Sequence, residues 1–417
     1  MHLDESGYLP RSIRPALDLA LSDTPVVCLL GPRQCGKSTL ARHCEPARSY
    51  FSLDDRNYLD LALNDPQGFV DQLPEQVTID EIQRAPELTL AIKRSVDAHR
   101  APGRFLLTGS ADLLQLPRLA DSLAGRMEII ELHPLTESEK ERSPGGFLAD
   151  WLQNGVKPSI TGSAVPAPSE LPHRLVAGGY PEAVRRTPAR ARTWQKQYLR
   201  SIIERDIQDV ALVKDGGDVA RLLEYLSDRT AQLVNVTAIA KRLNHTRPTV
   251  ERYLGVLEKL FLIRRLPAWH GNRSKRLIKA PKLHLCDSGL AAALCDLGED
   301  QWNAERTRFG HLLESFVLQQ LIAMAGWTEE TLRFGHYRDK DQVEVDLVLE
   351  SGSRIWGVEV KAAASVQRSD ARGLLRLAQV AGTGFQGGII LYDGAETLAV
   401  HREKRIFAVP ISRLWEL

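Results

Sequence analysis

The chain holds 417 residues, of which 43% are apolar and 26% charged, and its 54 Lys and Arg against 53 Asp and Glu give a net charge of +1. This is ordinary globular usage; it excludes a mostly disordered chain, a collagen-like chain and a disulfide scaffold, and the length allows two to four domains. Balanced charge names no partner, although a local basic patch on a neutral chain can still bind nucleic acid.

Residues 1–10 carry Asp4 and Glu5 and lack the apolar core of a signal peptide. No run of 18 apolar residues marks a membrane span, so a cytoplasmic protein without membrane contact is expected. The five cysteines, Cys28, Cys35, Cys44, Cys286 and Cys295, form no CxxC pair. Buried reduced thiols are expected rather than zinc ligation or disulfides.

From residue 25 to 135 short apolar runs alternate with amphipathic segments. Residues 26–30, 49–53, 77–80, 105–108 and 127–132 read as strands, and 40–44 and 88–98 as helices, the alternation of a parallel sheet. Residues 143–172 are rich in Pro and Gly and read as a linker, with a short helix possible near 147–152. Residues 173–265 are mainly helical. After about residue 300 a helix (309–325) precedes strands at 331–337, 343–350 and 354–361, then a helix (369–381) and a strand (388–392), the order αβββαβ. The expected divisions are 1–142, the linker 143–172, 173–300 and 301–417.

Residues 31–38 read GPRQCGKS and match GxxxxGK(S/T) between an apolar strand and a helix, the context that motif needs. Glycines let the backbone turn its N–H groups round a phosphate chain, and the helix N-terminus adds positive potential. Lys37 is assigned to the β- and γ-phosphates and Ser38 to Mg²⁺. Residues 77–81 read VTIDE: Asp80 ends a strand as a second Mg²⁺ ligand, direct or through water, and Glu81 is the candidate general base. The strand 105–108 leads into Thr108 and Ser110, candidate sensors of the γ-phosphate, with 49–53 as the candidate extra strand; a polar turn is the alternative. The nucleotide set is thus Gly31, Pro32, Arg33, Gln34, Cys35, Gly36, Lys37, Ser38, Thr39, Asp80 and Ser110. Arg126, just before a strand, is a candidate for neutralising transition-state charge in cis or in trans, or else a structural arginine.

Residues 236–244, a turn at 245–248 and a second helix at 249–260 suggest a helix-turn-helix, and 261–266 a following strand as in a winged helix. Arg264, Arg265, Arg273, Lys275, Arg276, Lys279 and Lys282 then form a basic stretch, with Trp269 and His270 among them. It is read as a DNA phosphate contact, or else as a solvated face of a packing module. Further on, Glu344 and Asp346 alternate onto one strand face. Glu359 and Lys361 share a face of the next strand, and Glu314 lies on the preceding helix. Glu314, Asp346 and Glu359 are candidate ligands of a hard metal activating water toward a phosphodiester, with Lys361 stabilising charge; a strand ion pair is the alternative.

These blocks, in this order, resemble bacterial and archaeal AAA-type ATPases that carry a C-terminal domain of unknown function. The likeness runs through residues 31–40, 79–83, 107–110, 124–126, 178–182 (GGYPE), 198–209, the helix-turn-helix, 282–290, 309–316 and 343–361. It implies an ATP-binding α/β core, a winged-helix segment and a restriction-endonuclease-like fold of the PD-(D/E)xK type. Cys35 stands where an aliphatic residue is usual, and the 143–172 insertion is long. The reading is a Mg²⁺-dependent ATPase coupled to DNA, often oligomeric in such families. The alternative is a nucleotide-controlled switch that binds a protein partner through an inactive nuclease-like fold.

Overall fold

Unbroken apolar runs are stable as strands only when both faces are covered, and the first sheet shows this gradient. The computed structural model describes residues 8–44, 46–110, 123–160, 169–206, 216–271 and 280–416. Arg273, Lys275, Arg276 and Lys279, part of the linker (161–168) and residues 207–209 lie outside the described residues. The strands β1 (Val26–Leu30), β2 (Ser49–Ser52), β3 (Val77–Asp80), β4 (Phe105–Gly109) and β5 (Met127–Glu131) pair in parallel in the order β2-β3-β4-β1-β5. Every residue of β1, β3 and β4 is buried, whereas the edge strands β2 and β5 are partly exposed, as a sheet covered by helices requires.

The helices of this unit are α1 (Arg14–Asp23), α2 (Lys37–Arg42), α3 (Arg56–Asn64), α4 (Pro66–Asp71) and α5 (Leu88–Ala98). Three of them, α1, α3 and α4, went unread in the sequence. Their signals are local: Pro in the first turn of α1 and α4, and Asp55 and Asp65 accepting from the Asn57 and Gly68 amides at the caps. The strand at 49–53 lies between the two nucleotide motifs in sequence, yet it forms the sheet edge. The strand standing between β1 and β3 in space is β4, which sets Thr108 beside both.

The chain divides into two compact units, one running to Leu135 and taking in Lys259–Phe261, the other made of Thr136–Glu258 and Leu262 onward. In the second unit a helical middle contains α6 (Pro188–Ser201), α7 (Gly216–Ser227), α8 (Val236–Leu243), α9 (Arg247–Lys259) and α10 (Ser288–Leu294). With them lies an antiparallel sheet of β6 (Gln232–Leu233), β7 (Ile263–Leu266) and β8 (Lys282–Leu285) in the order β6-β8-β7. Asn235 caps α8 through the Ala238 amide, and Asn244 ends it in the left-handed region at φ 56°. Within the Pro/Gly-rich stretch Phe147–Asn154 is helical and buries Phe147, Leu148, Trp151 and Leu152.

The last part begins with α11 (Arg306–Ala325), which is buried nearly all round and therefore shows little amphipathic contrast. Strands β9 (Arg333–Arg338), β10 (Glu344–Ser351) and β11 (Arg354–Lys361) run antiparallel. After α12 (Arg372–Ala381), β12 (Phe385–Tyr392) joins in parallel, followed by β13 (Leu398–His401) and β14 (Ile406–Pro410). The six-stranded order is β13-β14-β12-β11-β10-β9. Val345, Val348, Ile355 and Ile390 meet Leu374 and Leu377 of α12 in its core. All five cysteines are free thiols, Cys28, Cys35, Cys44 and Cys286 buried. Among the described residues no helix is long and apolar enough to cross a membrane.

The central position of β4 makes a direct prediction. Leu107 is fully buried, so Leu107→Ala should cost about 2–5 kcal/mol, read as a lower urea midpoint for the first unit. An unchanged midpoint would contradict the sheet order.

Candidate functional site

The loop after β1 is shaped by what it must avoid. A Cβ on Gly31 would lie 2.1 Å from the Leu132 carbonyl oxygen, so a side chain there would push the loop off the sheet. Gly36 takes φ 105° immediately before α2, a conformation that L side chains avoid. Cys35 is fully buried, its Sγ 3.4 Å from the Leu132 oxygen, and burial pushes its thiol pKa up. The thiol thus fills the slot as a small apolar group. Arg11 braces the loop from outside: Nη1 donates to the Cys35 carbonyl at 2.9 Å and Nη2 to the His133 carbonyl at 2.7 Å, with the residue 7% exposed. No motif pointed to Arg11; a buried arginine in a segment before the first strand has no periodic signature.

Within this frame the sequence candidates converge. Lys37 is 4% exposed and donates to the Gly31 and Pro32 carbonyls at 3.0 and 2.8 Å. Ser38 Oγ donates to Asp80 at 2.9 and 3.2 Å, and Thr108 Oγ1 donates to the same carboxylate. Asp80 is 5% exposed; its hydrogen-bond partners are hydroxyls rather than a base, which leaves its charge available to a cation. Tyr50 of β2 stands beside it, its phenol pushed up to about 12 by burial and then by the Asp80 charge. The Ser38 and Asp80 oxygens are the hard donors that Mg²⁺ prefers, so these residues fit that ion.

Glu81 adopts φ 59°, ψ 45°, a left-handed backbone that is uncommon outside glycine and typical of functional positions. Its amide donates to Thr108 Oγ1 at 3.4 Å. Gln83, which sequence reading did not single out, donates to the Glu81 carboxylate and to Ser110 Oγ at 3.0 Å. It ties the candidate base to the candidate sensor. Pro32 is buried, while Arg33, Gln34 and Thr39 face outward on the loop and first helical turn. Arg126 is not brought to this site. It precedes β5, which runs parallel to β1 with Met127 beside Val26, at the opposite end from the loop. There it pairs with Asp97 at 2.6 Å. A cis role is excluded by this placement.

The C-terminal carboxylates also converge, but on an amine. Lys282, the first residue of β8, is 2% exposed, and its Nζ lies 2.8 Å from Glu314, 2.5 Å from Glu344 and 3.4 Å from Asp346. Burial opposes its charge, yet Glu314, Asp346 and Glu344 together raise its pKa above the ordinary lysine value. Asp346 also accepts from the Val360 amide at 2.9 Å, and Lys361 pairs with Glu359 at 2.9 Å. Burial and the Asp346 charge push Glu359 up to about 8. Among the described residues no group of three or more His, Cys, Asp or Glu side chains is arranged to hold a metal ion. Of the expected ligands, Glu314 and Asp346 thus stand round a lysine together with Glu344, while Glu359 pairs with Lys361 instead.

The same placement corrects the reading of Lys282 as a surface phosphate contact. Lys282 is inside the fold, Arg265 pairs with Glu251 at 2.8 Å and Glu258 at 2.5 Å, and Trp269 is 5% exposed with Nε1 donating to Glu350 at 3.0 Å. The alternation Lys282-Leu283-His284-Leu285 carried the missed signal. Two polar side chains on one face of a buried strand need a polar partner, here Glu314 and Ser315 of α11. Exposed cations occur instead near the turn between α8 and α9: Lys241, Arg242, Arg247 and Arg252.

Arg11 yields a prediction. Removing two charge-assisted hydrogen bonds in a buried setting, Arg11→Ala should destabilise the first unit by about 2–4 kcal/mol. Saturating nucleotide should restore part of the loss in a thermal melt, through binding to the folded state. A variant melting as wild type would remove Arg11 from the brace.

Three family models match consecutive stretches: an AAA domain over residues 23–140, a domain of unknown function (DUF8612) over 169–301 and a second domain of unknown function (DUF4143) over 309–414. Uncharacterised proteins of Mycobacterium tuberculosis and Mycobacterium bovis are each 31% identical over 412 residues, covering 97% of this chain and 84% of the relative. A Walker-type ATPase of Pyrococcus abyssi is a distant structural match, at TM-score 0.40 and 15% identity over 70% of this chain and 97% of that one. The chain belongs to the same family as these mycobacterial proteins, with an N-terminal AAA domain followed by the DUF8612 and DUF4143 domains.

Proposed function

We propose that the chain binds and hydrolyses ATP with Mg²⁺. The observation that carries this is the meeting of Lys37, Ser38, Asp80, Thr108 and Glu81 at the carboxyl ends of β1, β3 and β4, where open α/β sheets place their ligands. Gly31, Pro32, Arg33, Gln34, Cys35, Gly36 and Thr39 form the loop and first turn that wrap the phosphates. Lys37 neutralises the β- and γ-phosphates, and Ser38 with Asp80 would hold Mg²⁺, which supplies further charge neutralisation when bound. Glu81 accepts the proton of the attacking water, held in line by Gln83, while Thr108 and Ser110 register the γ-phosphate. With Arg126 held at the far end of the sheet, we propose that an arginine from a neighbouring copy completes the site in a homo-oligomer.

We read the coupled partner as DNA. The α8–turn–α9 arrangement followed by the β7–β8 hairpin supports a winged helix, and the exposed Lys241, Arg242, Arg247 and Arg252 supply phosphate contacts. The order α11-β9-β10-β11-α12-β12 supports a restriction-endonuclease-like fold. Lys282 among the carboxylates favours a second reading for that fold, in which it is inactive and serves binding to a protein partner. DNA affinity that falls steeply with salt supports the first reading; its absence at moderate salt, with plasmid left uncut in Mg²⁺ or Mn²⁺, supports the second.

ATP turnover by purified protein tests the core claim. Glu81→Gln should lower turnover about 100–10,000-fold while nucleotide still binds, and Lys37→Ala should lose binding. Equal turnover in wild type and both variants would contradict the proposal.

A further inference from the structure

We infer that Lys282 takes the place of a divalent cation in the C-terminal carboxylate cluster, so that this cluster is a metal-independent clasp joining β8 to α11 and β10. The inference sharpens the inactive-fold reading and is independent of ATP hydrolysis at the first unit.

Three observations support it. The first is position. The ammonium nitrogen lies 2.8, 2.5 and 3.4 Å from oxygens of Glu314, Glu344 and Asp346, the place a cation shared by these groups would take. Mg²⁺ requires oxygens at about 2.0–2.1 Å. An ion at that distance from the same oxygens would overlap the ammonium and meet its like charge. The second is immobility. Lys282 is 2% exposed, and its backbone lies in the central strand of a three-stranded sheet, opposite Leu266 on one side and Leu233 on the other. The strand pairing fixes where the side chain starts, and burial with three carboxylate contacts holds the ammonium in place.

The third is the neighbour on the same strand face. His284 is 1% exposed, with Nδ1 3.0 Å from Ser315 Oγ and Nε2, which has no hydrogen-bond partner, 4.0 Å from Glu314. The Glu314 carboxylate is therefore turned to the Lys282 ammonium rather than to the imidazole. Arg338 approaches Glu344 at 3.3 Å and Lys361 holds Glu359, so cations contributed by the chain meet the acids from several sides. Each of Glu314, Glu344, Asp346 and Glu359 thus has a cationic side chain of the protein within 4 Å.

The test measures Mn²⁺ binding by the full chain carrying Asp80→Asn, without nucleotide, by electron paramagnetic resonance. This parent should bind no tight Mn²⁺. Adding Lys282→Ala, or Lys282→Met to keep the stem volume, should create about one Mn²⁺ site per chain that Asp346→Asn removes. Wild type should melt at the same temperature with and without EDTA. A parent that binds one Mn²⁺ ion, lost on Asp346→Asn, would overturn the inference. So would folded Lys282→Ala and Lys282→Met chains that both gain no site. ATP turnover of otherwise wild-type protein, measured alongside, reports on the hydrolysis proposal separately.

Discussion

A buried ammonium must be compensated, and how it is compensated decides what else its surroundings accept. This chain buries two that matter. Lys37 points at the neutral carbonyls of Gly31 and Pro32, which satisfy its donors without cancelling its charge, so the loop keeps a positive field for an anion. Lys282 points at three carboxylates, which do cancel it. On the readings proposed above, the first centre awaits a ligand and the second is complete in itself.

The acids follow the same division. Asp80 is buried beside the Ser38 and Thr108 hydroxyls and the Tyr50 phenol, with no amine among these partners. Glu314 is buried beside an amine, and burial together with Asp346 raises its pKa well above the ordinary value against the pull of Lys282. Both carboxylates were legible as candidate metal ligands. What separates them is the identity of one neighbour more than forty residues away in the first case and more than thirty in the second, which spacing along a chain does not reveal.

Much of the fold was legible in the sequence, and for physical reasons. The runs at β1 and β3 are short, largely apolar and bounded by turn chemistry, so their ends fall where the pattern places them. Helix α5 does likewise because one face is apolar and the other charged. Helix α11 shows little periodic contrast, since it is covered on nearly every side. Strands β13 and β14 went unread: the first is a partly exposed edge, and the charged turn at 402–405 separates them. At the nucleotide site the motif residues were readable because backbone geometry ties them to fixed spacing. Arg11 and Gln83 were not, because each acts across the fold. Lys282 is not the surface phosphate contact that its basic run suggests, because alternation along β8 turns it inward with His284.

Crystals of the full chain grown with Mn²⁺ and a non-hydrolysable ATP analogue would test the contrast between the two lysines most directly, through anomalous scattering. The account predicts a manganese peak between Ser38 and Asp80 and none among Glu314, Glu344, Asp346 and Glu359, with Lys282 still seated on its carboxylates. A peak in the second cluster, or its absence from the first with nucleotide bound, would contradict it.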